Sequence, residues 1–429
     1  MENQVKTYLK IWNWFIFTAL TFLCGGFVGA VTVSFLQIMR FAINLLWAKV
    51  PQSFFCIVIF GIKINLYYVI LCIAGGVLIG IWQRKYGDYP ILLEDILKIY
   101  KRDKNIPYNN LGIVFVAALM PLIFGGSVGL GAGLAGIIAM LFCWVRDKYK
   151  SSIVYILQNK EKKKRTRLFE LIKNPINTFI GVDIIYDGQT YTVSKIKRWS
   201  AYLSAAVGGV LAFRIIAKIL AHEGIKIAKF GKFVYTSHEL LYFLPIVLLG
   251  ILTGLIFLFS KKLFNYIFKP LQNKKVLRAV ICGLILSLVG MFLPYTMFSG
   301  EEQMVDLVEN WHNWTAPLLF ATGFIKILMI NCCVSGGWRG GSFFPCLFCA
   351  TAIGYGLSTF ILANQSFIVL TFMASYTAMA LGQPLIIIAL CMLFAPFSAI
   401  LPITIAAFIG GFLNKKCMAY IVKSEEGTL

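Results

Sequence analysis

Charge is what this sequence has least of. Only 14% of its 429 residues are Asp, Glu, Lys or Arg, where a soluble chain carries roughly 25%. So little charge cannot cover a water-exposed surface of that size, which excludes a set of soluble domains. Acids are scarcest, at 18 against 40 basic residues. None lies between Asp103 and Asp147, and none between Glu309 and Glu425. Histidine is nearly missing too, with His222, His238 and His312 all in loop-like stretches. A proton path through a membrane interior normally needs carboxylates or histidines as stepping stones, and these long stretches hold no carboxylate and, apart from His312 at the start of the second, no histidine. There is no G-x-x-x-x-G-K-[ST], no H-E-x-x-H and no nucleophile–base arrangement, so the chain is expected not to be an enzyme and to need no cofactor. Cys346-x-x-Cys349 has no histidine near it in sequence, so no metal site is expected.

What the chain has is apolar length. Hydrophobic residues make up 59% and the mean hydropathy is +0.79, the signature of a polytopic membrane protein with the lipid bilayer as its main partner. The net charge of +22 would suggest a nucleic-acid binder in a soluble chain. Here it reads as cytoplasmic loops holding the topology, and no nucleic-acid partner is expected. The 11 cysteines are odd in number and sit almost entirely inside apolar runs, so they read as small buried side chains and not as a disulfide framework. The first apolar run, Ile11 to Trp47, is far longer than the core of a signal peptide. It also exceeds the ~20 residues of one perpendicular span, which calls for a long tilted helix or a helix with an extension.

The runs organise the chain into an N-terminal membrane part (1–145), a polar basic insert (146–199), a second membrane part (200–420) and a short tail (421–429). The insert contains the run Lys160 to Arg167 and the alternating piece Val182 to Val193, whose Asp187-Gly188 is a hairpin signal. It is expected to face the cytoplasm. Apolar runs resume at Ala201–Leu220, Leu240–Phe259, Val276–Leu293 and Trp314–Met329, with two or three more between Phe367 and Phe412. The acidic loop Glu301 to His312 is placed outside, and the basic clusters Lys261–Arg278 and Lys415–Lys423 inside.

Two of the apolar stretches are interrupted. Leu111 to Val145 carries Pro121 and six glycines between Gly125 and Gly136, which predicts two half-helices. Its centre, Gly125 to Leu134, reads GGSVGLGAGL. In the other half of the chain Gly336 to Leu347 reads GGWRGGSFFPCL. Such breaks survive in lipid only where protein or a water-filled cavity covers them, and matching interruptions in two halves point to a transporter's binding site. The unpaired N–H groups at half-helix N-termini, with the helix dipole behind them, make an anion site that needs no basic side chain. Glycine lets the backbone approach the ion, and Pro345 suits an early helical position. Gly131 to Gly136 formally matches G-x-G-x-x-G, but it lies in a membrane-length apolar run and not after a strand, so it is no dinucleotide signal.

These two segments resemble those of the CLC chloride channels and chloride/proton exchangers. Gly341-Ser342-Phe343-Phe344-Pro345 matches that family's G-x-F-x-P motif in full. Gly336-Gly337-Trp338-Arg339 is similar to its prokaryotic branch, and Gly125 to Leu134 resembles the gating segment, G-S-V-G-P-E-A-G-L in that branch. The resemblance covers Ile11 to about Tyr420. It implies an all-α polytopic membrane protein of CLC-like fold, with two inverted repeats whose broken, re-entrant helices meet at a central anion site. It further implies a homodimer in the cell membrane that carries chloride or a similar small anion. Carried over by position, the anion-binding residues are Gly129, Leu130, Gly131, Ala132, Gly341, Ser342, Phe343 and Phe344, with Tyr420 as the nearest candidate for the family's tyrosine. The family's G-S-G-I-P motif is missing, and Tyr86-Gly87-Asp88-Tyr89-Pro90 occupies its region. Where the gating segment has Pro-Glu, this chain has Leu130-Gly131, so Gly131 stands at the gate without a carboxylate. The expectation is a passive anion channel or uncoupled chloride transporter. The alternatives are a proton-coupled exchanger of chloride, nitrate or fluoride with an unconventional proton path, and a non-conducting membrane sensor.

Overall fold

A computed structural model describes residues 2–49, 56–59, 62–91, 93–103, 105–158, 195–220 and 228–426. The basic run Lys160 to Arg167 and the hairpin expected over Val182 to Val193 lie outside the described residues. Among those described there are fourteen α-helices. They are α1 (Glu2–Ile43), α2 (Leu66–Tyr86), α3 (Leu93–Asp103), α4 (Leu111–Ile123), α5 (Gly131–Gln158), α6 (Lys195–Leu220) and α7 (Ser237–Phe268), followed by α8 (Lys275–Phe292), α9 (Glu301–Asn310), α10 (Ala316–Ser335), α11 (Phe343–Ser358), α12 (Gln365–Leu381), α13 (Pro384–Phe394) and α14 (Ile400–Glu426). A π-helical turn, Asn44–Lys49, extends α1, as the length of the first apolar run requires. A short antiparallel pair, β1 (Cys56–Ile59) and β2 (Ile62–Asn65), follows it.

Among the described residues, seven helices are long and apolar enough to cross a membrane, and five shorter apolar helices accompany them. Both interruptions expected from the sequence are real breaks. The first separates α4, which ends at Ile123, from α5, which begins at Gly131; the second separates α10 from α11. Helix α5 continues to Gln158, past the expected boundary at residue 145, and α14 runs on to Glu426, past residue 420.

The helices divide between two compact units, each discontinuous in sequence: Met1–Ile38, Ile96–Leu111 and Ala135–Gly224 in one, Met39–Asp95, Gly112–Leu134 and Ile225–Leu429 in the other. In the first, α1 and α6 cross on small residues. Gly25 faces the backbone of Ala205, and Gly29 that of Gly209, so closely that a Cβ on either would overlap the opposing backbone. Ser204 Oγ donates to Thr18 O across the same crossing at 2.8 Å. Lipid tails are as apolar as leucine, so helices in a membrane gain by such close van der Waals contact and interhelical hydrogen bonds, not by apolar burial.

In the second unit the same principle joins α2 to α8. A Cβ at Gly76 would lie 2.6 Å from Ala279 O, and one at Gly283 2.5 Å from Cys72 O. Helix α12 forms the centre of this unit, with every residue from Ser366 to Ala380 buried among α7, α11, α13 and α14. Two of its polar side chains bond within the helix, Ser375 Oγ donating to Thr371 O at 3.1 Å and Thr377 Oγ1 to Met373 O. Polar side chains of neighbouring helices tie the backbones together: Asn414 Nδ2 donates to Met379 O at 2.7 Å and Asn331 Nδ2 to Phe257 O at 3.1 Å.

The α2–α8 crossing yields a test of the fold. Gly283→Val forces a branched side chain onto the Cys72 carbonyl, and overpacking of this kind costs about 1–3 kcal/mol. Gly112→Ala, where nothing lies within 4 Å of the new Cβ, is the control. In detergent, Gly283→Val is expected to melt well below the parent and Gly112→Ala close to it. Equal melting of the two variants would refute the tight crossing.

Candidate functional site

The two breaks meet through their backbones. Gly129 N donates to Gly341 O and Gly341 N donates to Gly129 O, each at 2.6 Å, an isolated antiparallel bridge. Gly129 and Gly341, expected among the anion-binding positions, thus have their amides taken up by each other. What the bridge supplies is registration, because it brings the starts of α5 and α11 side by side. A Cβ on Gly341 would lie 2.8 Å from Ala132 N and 3.2 Å from Gly131 N, and one on Gly129 would lie 2.9 Å from Pro345 Cδ. Only residues without a side chain permit this approach.

The free donors are those of the two first turns. In α5 the first intrahelical bond is Leu134 N to Leu130 O at 3.0 Å, and in α11 it is Cys346 N to Ser342 O at 3.0 Å. The earlier amides, of Gly131, Ala132 and Gly133 in α5 and of Ser342, Phe343 and Phe344 in α11, have no acceptor among the described residues. Pro345 has no N–H to leave unpaired. First-turn amides are orphaned in any helix; here two sets converge with the positive ends of two helix dipoles behind them. Such an arrangement attracts an anion and holds it without a cationic side chain.

Ser127, in the first break, is fully buried and its hydroxyl has no partner among the described residues. The sequence reading passed over it; the signal was a serine inside the glycine kink. Tyr376, on α12, is also fully buried, with its hydroxyl beside the thiols of Cys346 and Cys349 at the start of α11. Tyr420 lies on α14, and its side chain is outside the described residues. Leu130, directly before α5, is 8% exposed, so its apolar side chain packs inward where the family's gating segment has proline.

Both breaks are braced. In the first, Gly126 N donates to Pro121 O at 2.7 Å and Phe298 N to Gly125 O at 3.1 Å, while Trp47 Nε1 donates to Ile123 O at 2.8 Å. The turn that supplies Phe298 is itself held by Lys326, which is wholly buried. Its Nζ donates to Tyr295 O at 2.7 Å, Met297 O at 3.0 Å and Phe298 O at 3.3 Å and sits 4.5 Å from the centre of the Phe348 ring. In the second break, buried Trp338 donates from Nε1 to Ala279 O at 2.9 Å and its backbone N to Cys333 O at 2.8 Å. Gly131, expected at the gate, borders open space: nothing lies within 4 Å of a Cβ built on it, and it is not among the glycines of positive φ.

A family model described as voltage gated chloride channel matches residues 188–415, more than half of the chain. An ion-transport protein named YfeO from Escherichia coli O17:K52:H18 (strain UMN026 / ExPEC) is 26% identical over 181 residues, 41% of this chain and 42% of that protein. Its namesake in Escherichia fergusonii is 24% identical over the same length. The chain thus matches about two fifths of the length of these relatives. Among solved structures, a CLC-type fluoride/proton antiporter is similar over 94% of this chain and 95% of its own, with TM-score 0.65 and 19% identity. A slow cyanobacterial chloride/proton antiporter follows at TM-score 0.64 and 14% identity, over 94% of each chain. At these identities the likeness establishes the fold.

Two expected outcomes follow from the geometry. Ser342→Pro removes one free donor where the preceding residue, Gly341, is already in the extended bridge that proline tolerates before it. Losing one hydrogen bond to an ion costs about 1.5–3 kcal/mol, so anion affinity by calorimetry should fall at least tenfold; unchanged affinity in a folded variant would place the site elsewhere. Gly131→Glu puts a carboxylate into open space beside the same donors. Ionised, it should compete with the anion and slow flux; as pH falls and the carboxyl is protonated, flux should recover. The parent should lack this dependence between about pH 4.5 and 7.5, a range that brackets a carboxylate raised by burial. Should Gly131→Glu, alone and with Leu130→Pro, conduct like the parent at every pH, Gly131 is not the gate.

Proposed function

Because this chain belongs to the voltage-gated chloride channel family, we propose that it passes chloride or similar small anions across the cell membrane, passively and down their electrochemical gradient. The anion is held by the amides of Gly131, Ala132 and Gly133 from one half-helix and of Ser342, Phe343 and Phe344 from the other, with the Ser127 hydroxyl as an additional donor. The chain works as a homodimer with one pathway in each subunit. It is a transport protein of many spans, not an enzyme.

One observation carries this reading: two half-helix N-termini with unpaired amides, locked together by the Gly129–Gly341 bridge, with no side chain at Gly131 between them. A gate that works by competing for these donors needs a negative group of the protein's own at that position. Gly131 offers none, and α4, α5, α10 and α11 contain no carboxylate between Asp103 and Asp147 or between Glu309 and Glu425. An anion bound there meets no tethered rival and no carboxylate that would exchange a proton for it.

Proton-coupled exchange is the second reading, and Glu301 favours it. This residue opens α9 next to Gly300. Burial pushes its carboxyl up to about 7, with neighbouring Glu302 adding to the rise and Arg40 opposing it. It therefore gains and loses a proton near neutral pH. It adjoins the turn that Lys326 braces against the first break, a position from which protonation could reach the half-helix site.

Purified protein in liposomes separates the readings. A chloride gradient should dissipate without a matching proton flux. Proton movement driven by the chloride gradient alone, at fixed stoichiometry and lost in Glu301→Gln, would establish exchange instead. Movement of neither ion would leave the non-conducting sensor.

A further inference from the structure

Beside the second break lies a group of charges that the half-helix site does not use. Asp88, in the turn after α2, meets three cations at once. Lys275 Nζ lies 3.1 Å and Arg278 Nη2 3.7 Å from Oδ1, while Arg339 Nη2 lies 3.2 Å from Oδ2. Arg339 also donates from Nη1 to Asp88 O at 3.0 Å, and Lys275 Nζ to Gln83 O at 3.2 Å. One carboxylate against three cations leaves the cluster with an excess of positive charge. Arg278 is only 6% exposed. Its Nη2 is shared with Gln83 Oε1 at 3.0 Å, yet its Nε is buried with no acceptor among the described residues. A buried, charged donor without a partner is costly and marks a place where a further negative group would be stabilised.

We propose that Lys275, Arg278 and Arg339 form a second anion site, shaped for a small monovalent planar oxyanion, and that Asp88 occupies it as a tethered competitor. The resident shows the shape. The two oxygens of a carboxylate face different cations: Oδ2 accepts a hydrogen bond from Arg339, while Oδ1 lies at ion-pair distance from Lys275 and Arg278 without accepting a hydrogen bond among the described residues. Nitrate and formate present the same flat pair of oxygens with the same charge, and guanidinium groups favour such planar partners. Burial pushes the Asp88 carboxyl up, but Arg339, Lys275 and Arg278 together hold it below the usual carboxylate range, so it is ionised and in place at neutral pH. The side chains of Asp88, Lys275 and Arg339 are 32%, 29% and 28% exposed, so the cluster opens to water and an incoming anion can reach it. A brace for the second break would need only balanced charge; the surplus cation charge and the unpaired Nε go beyond bracing.

The inference rests on the reading of the chain as an anion transporter for its purpose. Arg339 precedes Gly341 by two residues, so this site is a waiting position next to the half-helix donors, and it is closed by an aspartate where the other site has no carboxylate.

The test is calorimetric titration of the full chain in detergent with sodium nitrate. The parent is expected to bind one nitrate per chain, at the half-helix donors. Asp88→Asn frees the cluster and should bind a second, and Asp88→Asn/Arg339→Gln should return the count to one. A folded Asp88→Asn protein that binds the same number as the parent overturns this proposal and leaves the proposed function standing. A parent that binds none while Asp88→Asn binds one supports it and counts against the half-helix site. Should Asp88→Asn fold only in nitrate and not in gluconate buffer, the free anion is replacing the lost carboxylate, in support. Should it unfold in both, the cations require a covalently held partner and the proposal fails.

Discussion

Everything at the functional centre depends on one pair of backbone hydrogen bonds, those exchanged between Gly129 and Gly341. Breaking a helix at membrane depth leaves peptide groups with neither water nor a helical partner, a loss of several kcal/mol for each group left unmet. The chain meets part of that loss by making the two breaks satisfy each other. The same pair fixes where the two helix starts lie, so the amides that stay unpaired are those of the two first turns beside it. Pairing and binding are thus divided among neighbouring residues: the glycines of the bridge close the structure, and the first turns of α5 and α11 stay open. Placing a side chain at either bridge glycine would separate the breaks and disperse the donors.

The rest of the second unit reads as support for that arrangement. With so few charges available, its polar side chains are spent on backbone carbonyls that a break or turn has exposed. Lys326 serves three carbonyls of the turn before α9, and that turn in turn donates to Gly125 in the first break. Trp338 bonds to α8 through its indole, and Gln83 links Arg278 to the Gly337 carbonyl. These groups have little freedom to move, because each has lost its water and found its partner in protein.

Charge placement separates the two ends of the site. At Gly131 the protein offers open space and no charge of its own. At Asp88 it offers a carboxylate already enclosed by cations. On the two proposals made above, the positions would respond to anions in different ways, the first by direct coordination and the second by displacement of an existing partner. Glu301 is a third kind of site, an acid kept from ionising fully near neutral pH by burial and by Glu302. The few acids retained near the second unit's breaks are thus placed where their protonation or pairing has consequences.

Much of this was legible in the sequence. Scarce charge and long apolar runs decide the membrane class without any fold, because solvation of side chains is a local property. Clustered glycines and Pro345 locate both breaks to within a few residues, since helix interruption is also local, and G-x-F-x-P with GGSVG makes the pair a candidate site. Three features needed the tertiary structure. The mutual use of the Gly129 and Gly341 amides could not be read, because a hydrogen bond between residues so far apart has no periodicity to betray it. Ser127 looked like one more polar residue in a kink until burial removed its water. Asp88, Lys275, Arg278 and Arg339 belong to separate stretches, with Arg339 251 residues from Asp88, and each alone reads as a solvated loop charge. Composition determines what the chain dissolves in and where its helices must stop, because those are sums over neighbours. Which amide faces which partner, and which charges share one carboxylate, is decided only when distant backbones close to within a few ångströms.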